Sequence, residues 1–141
     1  MGIDYLAIVQ GLPGLFVVLD SELTIVEVSD AYARATMTRR EELIGKNMFE
    51  VFPDNPFDSA ADGVHNLHAS LQRVLKTAAP DTMAVQRYDV RKPQEEGGEF
   101  AERYWSVINS PVLNADGTIR YIIHKAEDVT EFILLKQKGQ E

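Results

Sequence analysis

The sequence predicts an α+β fold built on an antiparallel sheet, and three observations predict it. Strand-like and helical runs are segregated along the chain: two β-branched runs first, a helical middle, then three strand-like runs. The short Asp20-Ser21-Glu22 link and the Asn114-Ala115-Asp116-Gly117 link are hairpin signals, which make antiparallel neighbours. The one long helical run carries a single apolar stripe, so the helical middle roofs one face of the sheet.

Each element has its own local reason. Asp4 to Gln10 (DYLAIVQ) makes a short amphipathic helix with Gly11 at its C-terminal cap, and Pro13-Gly14 breaks the chain there. Leu15 to Asp20 and Leu23 to Ser29 form the first hairpin. Ser29 or Asp30 then caps a short helix running through Thr36, and Thr38-Arg39-Arg40-Glu41 resembles a capping box ahead of Leu43-Ile44. Gly45 ends that turn. Asn47 to Phe52 is a helix of one or two turns, closed by Pro53 and Pro56. From Val64 onward, Val64, Leu67, His68, Leu71, Val74, Leu75 and Ala78 fall on one face of a longer helix, stopped by Pro80. Thr82 to Arg91 reads as one strand, Lys92 to Glu99 as a charged, Gly-rich loop, and Phe100 to Leu113 with Thr118 to Ala126 as a long closing pair.

Composition narrows the function classes. The chain has 141 residues, enough for one domain with one core. It has no cysteine, which removes disulfides, thiolate metal sites and cysteine nucleophiles together. A formal charge of −8 disfavours binding of nucleic acid or of anionic membrane by this domain. No apolar run reaches the roughly 18–20 residues of a membrane span, and Asp4 sits where a signal peptide would be basic, so a cytoplasmic setting is expected. Gly-x-Ser-x-Gly, His-Glu-x-x-His, Walker and Gly-x-Gly-x-x-Gly motifs are all missing, and no catalytic set is expected. Asp54, Asp58, Asp62 and His65 cluster in a Pro-bounded stretch, where caps and turns account for them better than a metal cage.

Three segments carry a family resemblance: GLFVVLDSELTIVEVSDAY, TRREELIGKNMFEVFP and YWSVINSPVLNADGTIRYIIHKAEDVTE. Together they resemble a PAS (Per-Arnt-Sim) domain over nearly the whole chain. The family often has Asn where this chain has Asp30, which still supplies a capping acceptor. The resemblance implies a five-stranded antiparallel sheet curled round an interior pocket, with the first two strands central. It divides the chain into an N-terminal cap helix (1–12), a PAS core (13–129) and the start of a C-terminal signalling helix (130–141), which is expected to continue beyond this sequence.

Asp128-Val129-Thr130 matches the Asp-x-Thr motif at which PAS domains hand over to an output helix. Asp128 is expected to accept from the free N–H groups at that helix start, with Glu131 completing a capping box. Val129, Phe132, Ile133 and Lys136 place an apolar stripe on a helix too short to stand alone, and such a stripe asks for a partner helix. The signal relay is therefore expected at Asp128, Thr130 and Glu131.

The resemblance also sets the pocket. It turns Ile122, His124, Ala126 and Asp128 inward on the last strand, and Tyr104, Ser106 and Ile108 inward on its neighbour, with Tyr88 joining them. Trp105, Val107, Tyr121 and Ile123 would then form an apolar outer face, covered by Leu6 and Val9 of the first helix or by a second subunit. An inward imidazole at position 124 needs a hydrogen-bond partner in the core or a ligand. His68 raises a haem alternative, because haem-binding PAS domains ligate iron from the corresponding helix, with Arg73 as the nearby cation. Without cysteine, the flavin photochemistry of the light-sensing branch and a covalently held chromophore are excluded, while a non-covalent flavin is not. The implied function is a sensory module of a histidine kinase or transcriptional regulator, which binds a small organic molecule. The alternatives are a ligand-free dimerisation module and the haem sensor. The implied partners are a second copy, through the outer sheet face and terminal helices, and a downstream output domain.

Overall fold

The computed structural model describes residues 2–140. Helix α1 (Tyr5–Gln10) is followed by strands β1 (Leu15–Leu19) and β2 (Ile25–Val28). The helical middle comprises α2 (Asp30–Ala35), α3 (Arg40–Leu43), α4 (Met48–Val51) and α5 (Gly63–Thr77). Then come the short strands β3 (Asp81–Thr82), β4 (Gln86–Arg87), β5 (Val90–Arg91) and β6 (Phe100–Ala101), the long strands β7 (Tyr104–Leu113) and β8 (Ile119–Asp128), and helix α6 (Thr130–Lys138).

The sheet is antiparallel, in the order β2-β1-β8-β7-β3, with β4 also on β7. Fold class and five-position sheet agree with expectation. The expected centrality of the first two strands does not: β8 is central and β2 lies at an edge. The long closing hairpin makes this possible, because β8 is long enough to serve β1 on one side and β7 on the other.

The single third strand expected over Thr82–Arg91 is broken. Its first pieces follow β7, where Asp81 pairs Asn109 and Gln86 pairs Trp105. At Tyr88 the ladder ends half-made. Its N–H still donates to the Arg103 carbonyl at 2.9 Å, but its carbonyl accepts from the Trp105 indole at 2.8 Å and the Arg103 N–H turns to the Asp89 carboxylate. Val90–Arg91 then pairs with Phe100–Ala101 as a separate ribbon.

Capping chemistry fixes the short helices. Ser29, not Asp30, caps α2 by accepting from the Tyr32 N–H, and its hydroxyl also donates to the Gly14 carbonyl. Asp30 instead pairs with Arg40 at 2.9 Å. The box on α3 sits one residue later than expected, since Glu42 rather than Glu41 accepts from the Arg39 N–H. Asn47 caps α4. Asp54 accepts from the Val64 N–H and Asp58 from the Ala60 N–H, the turn roles expected of that acidic stretch.

The core lies between the inner sheet face and α2–α5. It contains Val17, Leu19, Ile25, Val28, Tyr32, Leu43, Leu67, Leu71, Val74, Val107 and Ile122. Helix α5 buries Gly63, Leu67, Ser70, Leu71 and Val74, and exposes His68. Gly63 is required where it stands, because a Cβ there would fall 2.6 Å from the Tyr88 ring.

Candidate functional site

Backbone register decides which side chains meet under the helices. Directly opposed residues of an antiparallel pair share a face. Val17 faces His124 and Leu19 faces Ile122 across β1 and β8. Val107 faces Ala126 and Asn109 faces His124 across β7 and β8. Ile122, His124 and Ala126 therefore point inward as expected, and all three are buried.

On β7 the expectation is reversed. Trp105, Val107 and Asn109 are buried, while Tyr104, Ser106 and Ile108 lie on the outer face. The cause is a bulge near the hairpin turn: Leu113 pairs Ile119 but Val112 pairs Tyr121, so Arg120 is an extra residue on β8. Continuing the Leu113–Ile119 register unbroken would set Ile108 opposite His124 and Ser106 opposite Ala126. One extra residue exchanges the two faces of β7. Trp105 and Val107 leave the expected outer face with it, and Tyr121 and Ile123 remain there, half-buried.

The inward side chains enclose a cavity of about 40 Å³, lined among others by Tyr32, Met48, Leu67, Tyr88, Trp105 and His124. One water needs roughly 10–15 Å³, so this space suits a few waters or a very compact molecule. Haem and flavin exceed it many times over. His68 is not part of it. It lies on the exposed side of α5, tilted against Phe49 at 5.6 Å between ring centres, with Gln72 at 3.5 Å. Ser70 occupies the inward position that the stripe assigned to His68, so the haem reading through His68 loses its ligand. Arg73 is engaged elsewhere, donating twice to Asp81 at 3.0 Å.

Polar groups around the cavity are tied or neutral. His124 Nδ1 lies 2.8 Å from Asn109 Oδ1, and Asn109 Nδ2 donates to Ser70 Oγ at 2.9 Å. Burial lowers the His124 pKa to about 4, so the ring is neutral at ordinary pH. Burial raises the phenol pKa values of Tyr32 and Tyr88 well above the usual range. Tyr88 donates to the Phe52 carbonyl. Asp89 is the one carboxylate on the wall. Burial alone would raise its pKa, but hydrogen bonds from Arg87, Asn55 and the Arg103 N–H outweigh that and hold it below the usual carboxylate value. Asn109, Ser70 and Asp89 were missed by sequence reasoning. Asn109 could have been found from the β7 alternation had the register been known.

At the far end of β8 the chain passes directly into α6. Asp128 Oδ1 accepts from the Thr130 N–H at 2.9 Å and from the Thr130 hydroxyl at 2.6 Å. The Thr130 oxygen accepts from the Tyr104 N–H at 2.9 Å, and the Val129 N–H donates to the Tyr104 carbonyl at 2.9 Å. Asp128 and Thr130 thus clamp the helix start to the first residue of β7. Asp128 is exposed rather than inward, and Arg103 Nε approaches its second oxygen at 3.8 Å. Glu131 closes no capping box; Val129 stands at the cap position. Helix α6 buries none of its residues, leaving Phe132 and Leu135 largely exposed.

A family model described as "PAS fold" matches residues 9–133. The chain belongs to the PAS-fold family. Solved PAS-type structures agree in shape at low identity. A sensory box sensor histidine kinase from Vibrio cholerae is similar at a TM-score of 0.62 and 18% identity, with 88% of each chain covered. A LOV protein from Rhodobacter sphaeroides gives 0.65 at 14% identity over 88% of this chain and 64% of that one. VqmA bound to DPO gives 0.59 at 20% identity over 90% of this chain and 57% of that one. This PAS chain therefore spans less than two thirds of the latter two. No curated protein sequence matches it. Among the described residues, no helix is long and apolar enough to cross a membrane.

Proposed function

We propose that this PAS domain is a non-catalytic sensory module that takes a small molecule beside His124 and reports its presence through α6. One observation carries the reading: the strand that walls the cavity with Ile122, His124 and Ala126 runs without interruption into the Asp128–Thr130 clamp on Tyr104. Filling the cavity would press on β8, and β8 has α6 at its end. The effect is bounded by the ligand's preference for one arrangement over the other. The output domain would be a histidine kinase or a DNA-binding regulator in the cytoplasm, following residues 130–141.

Mass spectrometry of the native and the denatured protein tests this. A non-protein mass released only on unfolding is expected. Protein with no releasable mass, whose thermal stability also ignores a panel of small molecules, would leave a ligand-free dimerisation module instead.

Self-association is a companion reading, favoured by a separate observation. Tyr5, Leu6 and Ile8 on α1 and Phe132 and Leu135 on α6 are all more than half exposed. Val9 is half-buried, but Leu6 is not the cover expected of it. A second copy packed on the outer sheet face and terminal helices would bury this apolar surface. Sedimentation of the wild type against a Phe132→Glu, Leu135→Glu variant measures it, and a monomeric wild type would rule it out.

A further inference from the structure

We infer that a one-way hydrogen-bond relay from Asp81 through Ser70 and Asn109 fixes His124 as its Nδ1–H tautomer, so the cavity selects uncharged molecules that donate a hydrogen bond. This rests on the cavity reading above and specifies its ligand class.

The direction of every proton follows from the acceptor at the end of the chain. Asp81 is ionised: the hydrogen bonds from Arg73 and Ser70 hold its carboxyl below the usual value. An ionised carboxylate only accepts. Ser70 Oγ, 2.5 Å from Asp81 Oδ2, must therefore spend its single proton there, a length usual for a hydroxyl on a carboxylate. Its lone pairs are left to accept, so the group facing it at 2.9 Å is the Asn109 amide nitrogen. That places Asn109 Oδ1, a pure acceptor, 2.8 Å from His124 Nδ1. The ring nitrogen in that contact must carry the hydrogen. In a neutral imidazole the other nitrogen, Nε2, is then a bare acceptor.

His124 is 96% buried, being 4% exposed, lines the cavity, and its Nε2 has no hydrogen-bond partner among the described residues. Tyr32, 5% exposed and edge-on to His124 with ring centres 6.3 Å apart, lines the same space, and its hydroxyl is also unpartnered there. Gln86 Oε1, on the same wall, is buried without a partner. Two of these three atoms only accept. No unpaired charge faces the space, because Asp89 is bonded to Arg87, Asn55 and Arg103. An ion entering it would lose its hydration with no countercharge in return. A purely accepting molecule would face Nε2 lone pair to lone pair. A compact neutral donor fits both constraints.

Nitrogen-15 NMR of the histidine rings, with ethanol and dimethyl ether as probes, tests the inference. The two are isomers of three heavy atoms, small enough for a space of a few waters, but ethanol donates an O–H and dimethyl ether only accepts. His124 should show a protonated Nδ1 and an unprotonated Nε2 in the free protein. Ethanol should bind about tenfold more tightly than dimethyl ether, as one hydrogen bond gives, and should move the Nε2 resonance. Ser70→Ala should release the Asn109 amide, giving mixed tautomers and narrowing the preference. An Nε2–H tautomer in the wild type, or equal binding of the two probes, overturns the relay while the cavity reading stands. Binding of neither probe at any accessible concentration sinks the cavity reading, and the relay's ligand class with it.

Discussion

The inner wall of β8 and its outer end do opposite jobs with the same kinds of atoms. Around His124, the hydrogen-bonding groups of the wall are withdrawn from water, and Asn109 and Ser70 are fully buried. Around Asp128 the clamp is as well directed, with Thr130 giving its proton to the carboxylate and accepting from Tyr104, but it stands at the surface. Buried bonds are costly to leave unmade, whereas exposed ones exchange readily with water. The wall is therefore suited to holding one arrangement and the clamp to alternating between two. A sensor needs this division, since its recognition site must be rigid and its output element must switch at low cost.

The harshest way to break this contrast is to delete Ser110 from β7, just past the bulge. With Ser110 gone and Pro111 still opposite Ile122, Asn109 would stand opposite Ile123 and Val107 opposite Lys125, which drives Trp105, Val107 and Asn109 outward. A loss above about 4 kcal/mol is expected, beyond what single substitutions ordinarily cost. Chemical denaturation followed by tryptophan fluorescence should show no cooperative transition. A cooperative unfolding curve near the wild-type midpoint would mean that β7 slips back into register at little cost.

Asn109→Leu attacks the wall without touching the register. It leaves the His124 Nδ1–H without an acceptor and Ser70 without its amide donor, at about 4 kcal/mol for the two groups together. Urea denaturation measures it. A cost near 1 kcal/mol would mean that water replaces the amide and that the wall is less closed than it looks.

A pH titration sharpens the comparison further. The unfolded chain protonates His124 near pH 6.5, but the folded chain resists until about pH 4. Between those values the unfolded state binds one more proton, so stability falls as pH falls, by about 3 kcal/mol in all, and levels off below. The depressed carboxyls of Asp81 and Asp89 act in a separate window, beginning below pH 3.8, where their stabilisation is lost as they protonate. In His124→Gln the slope between pH 6.5 and 4 should vanish even though the baseline drops. An unchanged slope would assign the titration to another group.

How far the sequence carries depends on whether a feature is local. Caps and turns follow from neighbours, so the Gly11 cap on α1, the Ser29 cap on α2 and the Asn114–Gly117 turn are all legible. The inward parity of β8 is legible from Ile122 to Ala126, because Asp-x-Thr anchors it at the strand's own end, but it fails at Asp128, which is exposed. The parity of β7 is not legible, since it hangs on a bulge at Arg120 that no pattern of side-chain types announces. His68 fails for a related reason. A 3.6-residue stripe admits either His68 or Ser70 beside Leu67 and Leu71, and only the partner decides. Here Asp81 and Asn109 offer polar bonds to a hydroxyl at position 70. The third strand reads longer than it is because its break depends on the Trp105 indole and the Asp89 carboxylate, tertiary contacts invisible to local propensity.

The mildest perturbation is the most informative about output. Asp128→Ala removes the acceptor of both the Thr130 N–H and its hydroxyl. Because the site is exposed, water takes up those donors, and global stability should drop by only about 1 kcal/mol, the usual cost of losing such a side-chain cap. The local consequence should be much larger than the global one. Freed of the carboxylate, the Thr130 hydroxyl can turn its proton elsewhere and its grip on the Tyr104 N–H loosens, so α6 loses its tether to β7. Hydrogen exchange at Tyr104 and through Thr130–Leu134 should quicken at least tenfold while the amides of Val107 and His124 keep their protection. Thr130→Val should reproduce the Tyr104 effect, since it deletes the same acceptor and spares Asp128. Uniformly faster exchange across the sheet would show that clamp and wall form one cooperative unit, and unchanged exchange at Tyr104 would show that α6 is held by something other than this acid and hydroxyl.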